Sequence, residues 1–457
     1  MKFNKLAIGT PEELLFGNAL YPVSTRRGLV IGGGSVIPEL NFTLPPMSIN
    51  KDTFPEVCEH YRSIITDACE HAQHLYSNGV IFEFETLLEM TQTPAYGIEL
   101  VKIMNDICEE NYQQHGFKSE IRLTPNDLRE FDRPPLCRTS KYLDAMWELF
   151  DKGSQAGGDL LSIESTGGKE IHDEALMMCD IKQVVFALSV LGVRDMKMLW
   201  SKIVSIAKRN NRLAGGDTAC GFANTAMVLA EKGFIPKIFA AVVRVVSAVR
   251  TLVAIEEGAV GPDKDCGYEG PFLKAITGTP ISMEGKASAC AHFSPLGNIA
   301  ACCCDLWSNE SVQNVKLLSG MAPTVSLEQL EYDARLFNQA LKAGKPQARM
   351  LQTLLSDSDR LLDPQALILA PENVIAIAGE IVKGENYIDA SVRAAQKAVN
   401  LIDDAFRAGQ LAVSEMESPW IDMLRQSLAE IPTDESAFVE EMLPLCSDKF
   451  IPSEYGL

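Results

Sequence analysis

Short apolar runs that end in glycine or an acidic residue alternate along the chain with longer segments of helical periodicity. Runs at 79–83, 119–123, 159–164, 212–217, 251–256, 280–284 and 315–319 have the length and apolar content of buried strands. Segments 142–152, 181–191, 195–208 and 223–231 repeat apolar residues at helical spacing instead. Alternation of this kind marks strand–helix units around a parallel sheet. Seven or eight units over roughly 250 residues predict an α/β fold, a (β/α)8 TIM barrel.

The barrel is expected over 76–326. Residues 1–75 read as an N-terminal extension, with a glycine- and proline-containing loop at 32–46 and an amphipathic helix at 54–75. Residues 327–457 read as additional C-terminal helices, the clearest at 390–410. The triplet Gly32-Gly33-Gly34 is no dinucleotide fingerprint, because Pro38 stands where a helix should begin.

Charge narrows the function classes. The chain has 457 residues and a net charge of −20, which opposes binding to phosphate backbones and anionic lipid headgroups. No nucleic-acid or membrane role is expected. The most apolar stretch, 235–255, contains Lys237, Arg244 and Arg250, which a spanning helix would hold in hydrocarbon at high cost. It reads as a core helix leading into a strand. The first residues lack the continuous apolar run of a signal peptide. Twelve cysteines, three of them adjacent at Cys302, Cys303 and Cys304, suit a reducing cytoplasm better than a disulfide framework.

In a barrel of this type, chemistry sits at the C-terminal ends of strands. The run Asp159-Leu-Leu-Ser-Ile-Glu164 ends in a carboxylate before a Gly167-Gly168 turn. The segment Ala214-Gly-Gly-Asp-Thr-Ala-Cys220 ends in a thiol, and Thr251-Leu-Val-Ala-Ile-Glu256 leads through a glycine loop to Cys266. Each pair is separated by a little more than one strand–helix unit, so the three could converge above the barrel. Two thiolates and a carboxylate are good zinc ligands, and three protein ligands with an open fourth position mark a catalytic site. Lys264 could help keep the thiols deprotonated. Glu83 and Glu85 close an early strand, and either of these or Asp217 could manage a proton.

Two rival clusters are weaker. Cys290 and His292 would share a face on a strand, but at most one of the three consecutive cysteines could join them, and packing in a buried helix explains that triplet. His71 and His74 stand three residues apart on the early helix with no further ligand in register.

Several segments together resemble one known family. They are Glu164-Ser-Thr-Gly-Gly-Lys-Glu170, Gly215-Gly-Asp-Thr-Ala-Cys220 with Asn224-Thr-Ala-Met227, and Gly258-Ala-Val-Gly-Pro-Asp-Lys-Asp-Cys-Gly-Tyr-Glu269. Lys274-Ala-Ile-Thr-Gly-Thr-Pro280, Met283-Glu-Gly-Lys286, Cys290-Ala-His292 and Trp307-Ser-Asn-Glu-Ser311 continue the match. The family is that of the methanol:corrinoid methyltransferases of methanogens and acetogens, whose zinc-dependent subunit activates methanol. The resemblance implies a (β/α)8 barrel with zinc at Glu164, Cys220 and Cys266. It also implies methanol as substrate, a separate corrinoid protein whose cobalt(I) receives the methyl group, and a homodimer of barrels within a heterotetramer. It is looser in the first 30 residues and the helical C-terminal region. Action on another small alcohol or a methoxy compound, zinc activation of a thiol, and a scaffolding role beside a corrinoid protein are the alternatives.

Overall fold

The computed structural model describes every residue except 45, 46, 313–315, 318 and 319. Strands β1 (Asn18–Ser24) and β2 (Val30–Gly33) form an antiparallel hairpin. Seven further strands make one parallel sheet: β3 (Ile37–Thr43), β4 (Val80–Glu85), β5 (Ser119–Thr124), β6 (Leu160–Ile163), β7 (Leu213–Asp217), β8 (Ser282–Glu284) and β9 (Leu306–Val312). Their order is β7-β6-β5-β4-β3-β9-β8. The sheet curls so that its two edge strands, β7 and β8, flank residues 260–264. Val260 donates its amide to the Ala214 carbonyl of β7 at 2.8 Å and Gly261 to Gly215 at 2.9 Å, while Asp263 accepts the Ser282 amide of β8 at 2.9 Å. The result is a barrel of (β/α)8 type whose eighth position is an irregular extended segment rather than a strand. Gly216 makes that closure possible, because a Cβ there would stand 2.7 Å from the Asp263 backbone.

Strand periodicity sorts the side chains into two environments. Leu40, Phe42, Val80, Phe82, Phe84, Ile121, Leu123, Leu161 and Ile163 face outward into a cluster with helices Phe54–His74 and Pro94–His115. Their neighbours face inward, and there polarity rises along the barrel. At the bottom, Ile37, Ile81, Leu160 and Leu306 pack on Val23, Leu29 and Ile31 of the hairpin, which plugs that end. Above them the interior is polar: Arg122 donates to Glu39 at 2.5 Å and to Ser162 at 2.8 Å, and Ser282 donates to Glu39 at 2.5 Å.

Three expectations need correction. Residues 251–256 do not form a strand; they are the end of helix Lys237–Glu257, which Gly258 terminates at φ +114°. An all-round apolar run reads equally as buried helix or buried strand, and here length favours helix. The last barrel strand is Leu306–Val312 rather than 315–319; Lys316–Leu317 instead pairs with Gly320–Met321 in a small hairpin, and 315, 318 and 319 lie outside the described residues. The stretch 32–46 holds β3, a central strand and the first unit of the barrel. Pro38 is tolerated because it sits at the start of β3, before pairing with β4 begins at Glu39.

Helix Lys237–Glu257 is the one helix among the described residues long and apolar enough to cross a membrane, but 94% of its apolar window is buried inside the protein. It packs between helices Val193–Arg209 and Tyr387–Arg407, the latter from the C-terminal helical region. We refer to it as the core helix.

Candidate metal centre

Each ligand candidate owes its position to a local backbone device. Glu164 directly follows β6, and the turn after it is held by Asp127, which accepts the Thr166 amide at 2.9 Å. Gly168 follows at φ +86°, where a Cβ would stand 2.5 Å from the Ala187 carbonyl, so only glycine closes this turn. Cys220 opens a π-helical turn, Cys220–Asn224, after β7. Cys266 lies just past the barrel-closing segment and is buried. One ligand atom from each of Glu164, Cys220 and Cys266 lies within 4.8 Å of the others, the one such group of three among the described residues. Ligands about 2.0–2.3 Å from one tetrahedral ion stand roughly 3.3–3.8 Å apart, so a small contraction makes this donor set fit zinc.

Lys264, completely buried, is the electrostatic hub. Its Nζ stands 2.8 Å from Cys266 Sγ, 3.0 Å from Glu164 Oε1, 3.1 Å from Glu85 Oε2, 3.0 Å from Asp265 Oδ1 and 3.5 Å from Glu83 Oε1. Burial works against its charge, but Asp265, Cys266, Glu164 and Glu83 outweigh it and push its pKa well above the ordinary lysine value. Asp265 is held low in spite of burial by Lys264 and by the Ser308 hydroxyl, which donates at 2.5 Å. Burial raises Glu83 well above the carboxylate range and raises Glu85 as well. The thiols answer to each other: Cys220 hydrogen-bonds Cys266, which lowers its pKa, yet burial and the Glu164 and Glu284 charges carry it up to about 11. Cys266 is pushed well above the thiol range, first by Cys220 and then by burial and Asp265.

A cleft of about 170 Å³ opens beside the cluster, lined by Glu85, Thr124, Asn126, Glu164, Lys169 and Phe222 among others. The family model of the methanol-cobalamin methyltransferase B subunit matches residues 1–456. The chain belongs to this family. It is 36% identical over 464 residues to the methanol–corrinoid protein co-methyltransferase of Methanosarcina barkeri (strain Fusaro / DSM 804), covering 100% of the chain and 99% of that protein. It superposes with a TM-score of 0.94 on a chain of the methanol:cobalamin methyltransferase complex of Methanosarcina barkeri, at 36% identity, covering 100% of the chain and 99% of the other. The chain is thus a methyltransferase of the B-subunit family, with a fold that agrees with the expected barrel.

Within this B-subunit fold, Glu83 and Glu85 reach the cluster through Lys264. Asp217 does not: its oxygens accept Trp200 Nε1 at 2.7 Å, the Ser165 hydroxyl at 2.7 Å and the Thr218 amide at 2.9 Å, so it braces the loop behind Glu164. Cys290 is exposed, and Cys302, Cys303 and Cys304 are buried with their thiols turned to backbone carbonyls. His71 pairs with Glu328 at 2.6 Å on the helix surface. Sequence reasoning missed Asp265, Glu269, Arg244 and Arg250 as parts of the site. Two buried arginines in an otherwise apolar helix were the available signal for the last pair.

Proposed function

We propose that this chain activates methanol and delivers its methyl group to cobalt(I) of a separate corrinoid protein, with zinc held by Glu164, Cys220 and Cys266. The observation that carries the metal assignment is the convergence of those three donors, from three separate loops, within 4.8 Å. When bound, zinc supplies Lewis acidity that makes the methanol oxygen a better leaving group and orients the alcohol. Membership of the family and the names of the relatives support the methyl donor and acceptor.

The reaction balances with one proton: cobalt(I) provides an electron pair to the methyl carbon, the C–O bond breaks with its pair on oxygen, and protonation releases water. Glu85 is placed to hold that proton. Its side chain is 34% exposed on the cleft, Oε2 touches Lys264 at 3.1 Å and accepts from Asn41 at 3.3 Å, and burial raises its pKa. Glu83 is closed off from the cleft and accepts from Thr124 at 2.8 Å, so it serves Lys264 rather than substrate. Lys264 gathers both glutamates and Cys266 around one ammonium. Thr124, Asn126 and Phe222 bound the space beside Glu164, where the alcohol would sit. The corrinoid protein docks over this cleft, and two such barrels form a homodimer within a heterotetramer.

The test is methylcobalamin formation from methanol and cobalt(I) cobalamin, run beside metal analysis. Zinc at one per chain is expected, with methyl transfer falling to background in Cys220→Ala and Cys266→Ala. Wild-type rates with undiminished zinc in both variants overturn the assignment. Parallel assays with ethanol, a methoxy compound and a thiol decide the substrate class, and faster turnover of any of these than of methanol overturns that part.

A further inference from the structure

Three of the buried polar side chains of the core helix, Lys237–Glu257, each reach a different ligand loop. Arg244 donates to Asn224 Oδ1 at 3.2 Å, in the turn that Cys220 opens. Thr251 donates to Glu269 Oε1 at 2.9 Å, three residues beyond Cys266. Arg250 donates to the Ser165 carbonyl at 2.5 Å and its hydroxyl at 2.7 Å, next to Glu164, and its guanidinium lies 4.4 Å over the Phe222 ring. All three are at most 1% exposed, and Arg244 and Thr251, seven residues apart, share one face of the helix.

The two thiol loops are also tied directly to each other in both directions. From the Cys220 loop, Asn224 Nδ2 donates to the Cys266 carbonyl and, at 3.8 Å, to Cys220 Sγ. From the Cys266 loop, Glu269 Oε1 accepts the Ala219 amide at 2.6 Å. Each tie is held by the core helix: Asn224 by Arg244, Glu269 by Thr251. A buried arginine in an apolar helix is costly unless its donors are used. Arg250 turns a terminal guanidinium nitrogen to the Glu164 loop, and Arg244 divides its own between Asn224 and Gln365, while the Nε of each has no partner.

We infer that Arg244, Arg250 and Thr251 of the core helix, acting through Asn224 and Glu269, are positioning residues that set the spacing of Glu164, Cys220 and Cys266 before metal arrives. This rests on the metal reading proposed above. Hydrogen bonds to ligating groups orient them and tune their donor strength, and losing one typically costs about 10–100-fold in metal affinity. Asn224 touches a ligand, whereas Thr251 touches none and acts only through Glu269.

The experiment uses the full chain, stripped of metal, with zinc affinity read by competition against a chromophoric chelator and ligand geometry read from the thiolate-to-metal absorption of the cobalt(II)-substituted protein. Asn224→Ala is expected to weaken zinc binding about 10–100-fold and to shift the cobalt(II) bands. Thr251→Val should weaken zinc about 10-fold with a smaller shift, and Thr251→Ser, which restores the hydroxyl, should match wild type. Thermal unfolding of the metal-free variants separates lost positioning from lost folding. Undiminished zinc in Cys220→Ala and Cys266→Ala overturns the metal reading and the positioning role with it. Zinc loss in those two, with wild-type affinity and unshifted bands in Asn224→Ala and Thr251→Val, overturns the positioning role alone.

Discussion

The two ends of the barrel interior both hold buried charge, but only one end is balanced. At the bottom, Arg27 pairs with Glu120 at 2.9 Å and Glu109 at 3.2 Å, and Arg26 pairs with Asp159 at 2.8 Å. Glu120, crowded by burial and by Asp159, is pushed up to about 7 and so keeps its proton through most of the acidic range. Two guanidinium groups there face three carboxyl groups, of which Glu120 holds its proton through most of the acidic range. At the top, one ammonium, Lys264, faces Glu83, Glu85, Glu164 and Asp265 together with two thiols. Buried charge is tolerated when it is paired. The bottom is therefore complete as a structural joint, whereas the top crowds four carboxyl groups and two thiols around one ammonium. Glu83, Glu85 and the thiols, raised in the metal-free protein, become a surplus of anionic donors that a divalent cation satisfies.

The largest expected effect comes from removing the donors that would hold that cation. Cys220→Ala and Cys266→Ala should each reduce bound zinc and methyl transfer by at least about 10³-fold, measured by metal analysis and methylcobalamin formation. Next comes pH. Both thiols sit above their ordinary value, so the metal-free protein holds their protons at neutral pH and binding must displace them. Apparent zinc affinity should rise with pH, by up to about 100-fold per unit where two protons are released, as read by chelator competition.

Removing the hub should destabilise the metal-free protein most. Lys264→Met leaves buried Asp265, which Lys264 holds low, without its cation, and a loss of about 3–5 kcal/mol is expected in denaturant unfolding, narrowed when zinc is added. Arg27→Met should cost somewhat less, about 2–3 kcal/mol, because Arg26 remains beside Asp159, and zinc should not rescue it. A rescue of Arg27→Met by zinc would break the contrast between the two ends. The smallest effect concerns Glu120. Its folded pKa lies above its unfolded value, so the folded state binds more protons between about pH 4.5 and 7, and stability falls as pH rises through that window. Glu120→Gln should flatten this slope, which amounts to at most about 3 kcal/mol, in unfolding curves taken at pH 5 and pH 8.

What could be read before the structure was known follows from how local each signal is. Glu164 and Cys220 were legible because each ends an apolar run that leads into glycine or a polar turn, and strand ends are where barrel chemistry gathers. Cys266 was legible as a donor, but its support was not: the preceding apolar run continues as helix to Glu257, and the chain then closes the barrel with no regular strand at all. β3 was hidden by Pro38 and the nearby glycines, although in β4 the alternation Val80-Ile-Phe-Glu-Phe-Glu85 shows the outward-apolar, inward-acidic pattern openly. The links from Arg244, Arg250 and Thr251 to the three loops depend on the rotation of one helix against three turns far away in sequence. No periodicity within the helix itself reports that register.

The hairpin that plugs the bottom of the barrel has a kinetic consequence. Val23, Leu29 and Ile31 fill one end of the interior, and the cleft beside Glu164 opens at the other. A macromolecular acceptor seated there, as proposed above, would bar a small alcohol from entering and water from leaving. On the docking proposed above, turnover would follow an order: the alcohol admitted first, the acceptor closing the entrance, and the acceptor lifting before the next molecule follows.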